Sequence, residues 1–153
     1  MSKGEIRAEQ LYSSDGVCRM KYFYFDTSIW MDHYLERGVN GEAALKLILK
    51  IIAEDSFVVF SNFVEKELKN VGLSPAEINA LISMVKPDHL KRVSVTKVQF
   101  EEARHLAKLR AVPLGDVIHA VIARDTGAQL VSRDWDFEKL KDISVVRKPE
   151  DFL

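Results

Sequence analysis

Cysteine is almost missing from this chain. Cys18 is the only one among 153 residues, so no internal disulfide can form and no paired-cysteine zinc motif is present. Long apolar runs are absent too: none approaches the ~20 residues needed to cross a bilayer, and no charged start leads into an apolar signal core. A cytosolic location is therefore the expectation. There is no Gly-rich phosphate loop and no His-x-x-x-His pair, and no repeat or low-complexity tract interrupts the sequence. Nor is there a charge excess, since the formal net charge is −1. Nucleic-acid-binding domains often carry a basic surplus, so if this chain handles a phosphate polymer, attraction must come from local basic residues or from a bound cation.

What is present fits one globular domain. Apolar residues make up 47% and charged residues 29%, a composition that favours a packed core over disorder. A chain of this length buries roughly two thirds of its unfolded surface. Residues 1–19 show little periodicity and read as an N-terminal extension, with the domain proper over 20–153. From there strands and helices alternate. The continuously apolar KYFYF (21–25) predicts a buried strand, followed by a helix from Thr27 to about Glu36. RGVNGE breaks the pattern, and Glu42 to Ala53 predicts a helix with a broad buried face. FVVF (57–60) is a second strand, leading into a helix with Ser61 as N-cap and Gly72 near its end. Ser74, Pro75 and Glu77 spell a capping box with proline at the first helical position, opening a helix over 74–86. LKRVSV (90–95) is a third strand, 96–110 an amphipathic helix, and VPLGD leads into an apolar helix ended by Gly127. AQLVS (128–132) and ISVVR (143–147) supply two more strands. Such alternation implies βαβ crossovers: an α/β/α three-layer sandwich around a mainly parallel sheet of four or five strands.

In such folds ligands bind beyond the carboxyl ends of the strands. Asp26 follows the first strand, Asp134 and Asp136 the fourth; Asp116 starts a helix, and Glu67 lies one to two turns into the helix after the second strand. Each alone has a bland reading as a helix cap or a solvated residue. Together, carboxylates converging on one sheet edge would repel one another and raise their own pKa values unless a cation sat among them. Oxygen ligands suit the hard ions magnesium and manganese, so the pattern points to a divalent metal site.

FDTSIW, VFSNFVEKEL and LGDVIHAVIARDTGAQLVSRDWDF, in this order, resemble the PIN-domain ribonucleases over residues 21 to about 140. That resemblance implies metal-dependent hydrolysis of RNA phosphodiester bonds at a Mg²⁺ or Mn²⁺ site, leaving a 3′-hydroxyl and a 5′-phosphate. It implies Asp26, Glu67, Asp116 and Asp134 as catalytic acids and metal ligands. The spacing from Ser61 selects Glu67 as the second acid over Glu65, which points to a different side of its helix. Asp136 is either an accessory ligand or a cap of the short DFEKL turn. Thr27, Ser28 and Ser132 are either hydroxyls supporting the ligands or groups satisfying helix and strand ends. Small single-domain members of this kind, VapC-like proteins, are often toxins held by an antitoxin protein and often form homodimers, while others process or degrade RNA.

Trp30 and Trp135 are either base-stacking platforms or partly buried core. Arg104, Arg124, Arg133 and Lys97 are either backbone contacts or solvated surface. His119, three residues after Asp116, either bonds near the site or is a satisfied helix histidine. Two rival functions remain: a non-catalytic PIN-like module that binds RNA or protein, and an aspartyl-nucleophile phosphatase of the haloacid-dehalogenase kind. The second wants an Asp two residues after Asp26, where Ser28 stands.

Overall fold

The computed structural model describes residues 21–153; the extension expected over 1–19, with Cys18, lies outside them. Five strands form one parallel sheet in the order β3-β2-β1-β4-β5: β1 Tyr22–Phe25, β2 Phe57–Ser61, β3 Leu90–Val93, β4 Gln129–Val131 and β5 Val146–Arg147. Helices α1 (Thr27–Tyr34), α2 (Gly38–Ala53), α3 (Asn62–Asn70), α4 (Pro75–Ile82), α5 (Lys97–Arg110) and α6 (Leu114–Thr126) connect them. The result is the expected three-layer α/β/α sandwich with a five-stranded sheet. No helix among the described residues is long and apolar enough to cross a membrane.

The unbroken aromatic run of β1 is explained by its central place. Paired on both edges and covered on both faces, all four residues are buried, as continuous apolar character in a parallel strand requires. Phe25 and Phe60 point to the face where Trp30 of α1 packs at ring distances of 5.3 and 5.7 Å. Tyr24 points to the opposite face, against His119 of α6, and α5 packs on α6 behind it. Each fully buried aromatic contributes about 2–3 kcal/mol of transfer free energy. Trp30, 1% exposed, is thus core and takes no part in a binding surface.

Element boundaries differ from the sequence reading at several places: β3 stops at Val93 and β4 spans only Gln129–Val131, and three further differences have a visible cause. The first helical turn of α2 includes Gly38–Gly41, where the pattern suggested a break. A Cβ on Gly41 would lie 2.7 Å from the Asp32 carbonyl oxygen and 2.9 Å from Glu36 backbone, so this glycine permits a close α1–α2 approach. α4 ends at Ile82, and the turns that follow still bury Val85. β5 shrinks to two residues, because Ile143 and Ser144 bond back to the Leu140 carbonyl and Pro149 follows closely.

The strand order reverses between β1 and β4. On either side of a parallel sheet's reversal point the connecting helices diverge, which opens a crevice at the carboxyl ends. Asp26 and the Ser132–Asp134 segment occupy that place.

Candidate active site

Asp26 extends β1 by one hydrogen bond, its N–H donating to the Val131 carbonyl, and then caps α1. Its Oδ1 accepts from the Ile29 N–H (3.2 Å) and the Ser28 hydroxyl (2.7 Å), and its Oδ2 from the Ser132 hydroxyl (2.5 Å). Capping and cleft position therefore coexist. Only 6% of the residue is exposed, and this burial pushes its pKa up, against the opposing effect of the two serine hydroxyls.

Glu67 comes from α3, which starts directly at the end of β2 because Ser61 caps it through Val64 N–H. Its Oε1 accepts from the Thr27 hydroxyl (2.5 Å) and from His119 Nε2 (2.7 Å). Burial would raise its pKa, but His119 and Thr27 outweigh it and hold the carboxyl below its ordinary value. Glu65 faces away, pairing with Lys69 at 3.7 Å. Of the two candidates for the second acid, Glu67 lines the cleft. Gly115 lies against the same carboxylate: a Cβ there would make ordinary van der Waals contact with Glu67 Oε2 at 3.5 Å.

The position of His119 follows from helix geometry. Asp116 and His119 are one turn apart on α6 and share a face. His119, 3% exposed, also has its Nδ1 2.7 Å from the Tyr24 hydroxyl, which lies 2.9 Å from Ser61 Oγ. A carboxylate only accepts, so Nε2 carries the proton given to Glu67, and the matching assignment has Ser61 donating to Tyr24 and Tyr24 to Nδ1. Burial raises the Tyr24 phenol above its ordinary range, which keeps it a neutral donor. The helix-histidine and near-site readings of His119 are thus both true. Its (i, i+3) spacing from Asp116 was the available signal; Tyr24 carried none beyond sharing a strand face with Asp26.

Asp116, Asp134 and Asp136 form the rim. Each offers an oxygen within 4.8 Å of the others'. Asp134 caps the 3₁₀ helix Trp135–Leu140, accepting from Asp136 N–H at 2.9 Å, while its own N–H donates to Ser132 Oγ at 3.0 Å. Asp116 sits in the first turn of α6, capped at Pro113 without any side-chain bond. Its Oδ2 is buried and has no hydrogen-bond partner among the described residues. Burial and then the Asp134 charge push its pKa up to about 6. An unpartnered buried carboxylate oxygen beside two more acids is the environment a hard divalent cation fits.

Asp26, Thr27, Ser28, Glu67, Asp116, His119, Arg133 and Asp134 line one open cleft of about 390 Å³. Asp136 lies just outside it, on the rim with Asp134. Arg133 is committed to Glu150 through both terminal nitrogens, with Asp32 3.7 Å from Nε. Arg124 is held by Glu102 and Asp125. Neither arginine is a free cation for a ligand.

The sequence model of the PIN domain matches residues 23–143. Among curated protein sequences none matches this chain. Solved structures similar in fold include VapBC2 from Rickettsia felis bound to a DNA fragment from its promoter, at TM-score 0.63 and 15% identity over 83% of this chain and 98% of that one. VapBC-1 from nontypeable Haemophilus influenzae aligns with TM-score 0.60 and 15% identity, over 84% and 98% of the respective chains. A toxin-antitoxin complex from Klebsiella pneumoniae gives TM-score 0.55 and 20% identity, over 83% and 97%. At these identities the structures speak for the fold, and it is the match of the family's own sequence model over most of the chain, joined to the acids at the sheet's reversal point, that makes this chain a member of the PIN-domain family.

Proposed function

We propose that this protein is a metal-dependent endoribonuclease. Asp26, Glu67, Asp116 and Asp134 hold Mg²⁺ or Mn²⁺, and Asp136 assists from the rim. The observation that carries this reading is the buried, unpartnered Asp116 Oδ2 within a group of three carboxylates whose oxygens lie inside 4.8 Å. When bound, the divalent ion supplies charge neutralisation for the RNA phosphate, an acidified water as nucleophile and stabilisation of the leaving oxygen.

The chain's own residues supply orientation. Thr27 and His119 both bond one Glu67 oxygen, Oε1, and neither takes Oε2. Ser28 and the Ile29 N–H fill both lone pairs of Asp26 Oδ1, and Ser132 takes one on Oδ2 and leaves the other for an ion. Ser132 also ties the Asp134 backbone to Asp26, so acids from β1 and β4 move as one unit. Ser28, standing where an aspartyl-nucleophile phosphatase wants its second Asp, speaks against that alternative. Residues 20–153 make up the nuclease domain in this reading, acting in the cytoplasm. The likeness in fold to toxin-antitoxin complexes supports a toxin held by an antitoxin protein; a homodimer as the working assembly belongs to the same proposal and rests on the family resemblance alone.

Cleavage of a single-stranded RNA in Mg²⁺, Mn²⁺ or EDTA, by wild type and Asp116→Asn, tests the reading. Metal-dependent cleavage lost in EDTA and reduced about a thousandfold in the variant is expected, several kcal/mol of transition-state stabilisation being removed. Metal-independent cleavage equal in both proteins sinks it, and phosphomonoesterase activity without RNA cleavage restores the phosphatase alternative.

A further inference from the structure

Trp135 lies between Asp134 and Asp136 in sequence, and it is 75% exposed. A solvent-exposed indole flanked by two acids of the cleft offers an aromatic face to whatever the cleft binds. Beside it a second hollow of about 140 Å³ shares Ser132, Arg133 and Asp134 with the acidic cleft and extends to Val146, Arg147 and Lys148 at the end of β5. The Lys148 ammonium sits over one face of the Trp135 ring, 5.6 Å from its centroid, which leaves the other face for a ligand. Arg147 and Lys148 make no side-chain ion pair among the described residues, in contrast to Arg133 and Arg124.

We infer that Trp135, Arg147 and Lys148 form a subsite for one unpaired nucleotide of single-stranded RNA, next to the phosphate held in the acidic cleft. The inference rests on the ribonuclease reading and deepens it. The indole face takes the base, since stacking tolerates any base and needs it out of a duplex. Arg147 and Lys148 take the adjoining phosphate, which the acids of the main cleft repel. Glu138 and Asp151 also border the hollow, so its charge is nearly balanced and the indole supplies most of the attraction. Duplex RNA has its bases stacked on one another and is excluded from this contact.

Tryptophan fluorescence reads the contact directly, because Trp30 is buried and serves as an internal control for folding. A single-stranded RNA decamer is titrated in the Asp116→Asn background, where cleavage is about a thousandfold slower. Saturable quenching is expected, absent in Trp135→Leu, with the Kd raised about tenfold or more by that substitution. Trp135→Phe retains most of the affinity, and a duplex of the same sequence binds at least tenfold more weakly. In the otherwise wild-type enzyme with Mg²⁺, Trp135→Leu raises KM far more than it lowers kcat. An unquenched Trp135, or equal affinity for single strand and duplex, overturns the subsite while leaving cleavage untouched. Quenching by RNA in a protein that never cleaves it supports the subsite and removes the hydrolytic reading instead.

Discussion

Asp26 and Glu67 carry the same charge as Asp116, Asp134 and Asp136, and line or border the same cleft, yet they are held in opposite ways. Hydroxyls and an imidazole grip the first pair: Ser28 and Ser132 on Asp26, Thr27 and His119 on Glu67. The rim acids have almost no such support. Asp116 Oδ2 has no partner among the described residues, and the largest charge effect on this residue comes from another carboxylate, Asp134. One side of the cleft is satisfied by the protein alone; the other is complete only with a cation. The fold supplies rigidity on the sheet side and binding energy on the rim, as expected where strain is retained at a functional site.

Neutralising one acid from each side separates these roles most sharply. Asp116→Asn removes a repelling charge, so the metal-free variant gains about 1 kcal/mol, after allowance for its half-exposed setting, and melts about 3 °C higher. Asp26→Asn puts an amide where two acceptor oxygens met hydroxyl and amide protons, leaving a donor facing a donor unless Ser132 turns. It loses about 1–3 kcal/mol. Both lose cleavage. Thermal melts in EDTA alongside activity decide the matter: a stabilised Asp26→Asn or a destabilised Asp116→Asn erases the distinction.

His119→Ala attacks the supported side without touching a carboxylate. Groups that orient metal ligands change metal affinity by about 10- to 100-fold, so Mg²⁺ binding by calorimetry weakens by that factor. Tyr24→Phe, which leaves His119 in place but removes the hydroxyl on Nδ1, weakens it by a smaller factor of about 3. If both variants bind Mg²⁺ as tightly as wild type, the buried chain from Ser61 to Glu67 serves packing alone. Ser132→Ala tests the joint between the two sides. It strands Asp26 Oδ2 in a buried place and frees the Asp134 N–H, costing about 1–2 kcal/mol, whereas Ser132→Thr keeps the oxygen and most of the stability.

Much of this was legible in the sequence, and what was not has a physical reason. The aromatic run ending on Asp26 announced a central strand and its crevice end, and Pro113-Leu114-Gly115 announced the helix start that carries Asp116. Local chemistry sufficed there. The pairing of His119 with Glu67 spans 52 residues and exists only because β2 and β4 flank β1, an order no local pattern encodes. Gly41 read as a helix breaker because its need for close approach to Asp32 and Glu36 belongs to tertiary packing. Trp30 and Trp135 were indistinguishable as residues; the sheet-facing side of α1 buried the first and the 3₁₀ turn after Asp134 exposed the second.

The last expected effect concerns pH and is read at the rim. Asp116 has a folded value of about 6 against an ordinary 3.8, so the folded protein holds this proton more tightly than the unfolded chain. Its contribution to stability is therefore fully present below about pH 4 and is lost as pH rises through about 6. Asp26, also raised, acts in the same sense, and Glu67, lowered, opposes it. The metal-free protein should lose about 1 kcal/mol from Asp116 between pH 4 and 7, a figure already reduced for solvent screening. Saturating Mg²⁺ competes for the same oxygen, so it reverses the trend at pH 7 and loses its effect as the solution is acidified below about 6. Urea melts at pH 4.5, 6 and 7.5, with and without Mg²⁺ and repeated on Asp116→Asn, isolate this group: the variant should flatten the metal-free slope. A slope that survives the substitution intact assigns the dependence to the supported acids, and with it the claim that the rim alone awaits a cation fails.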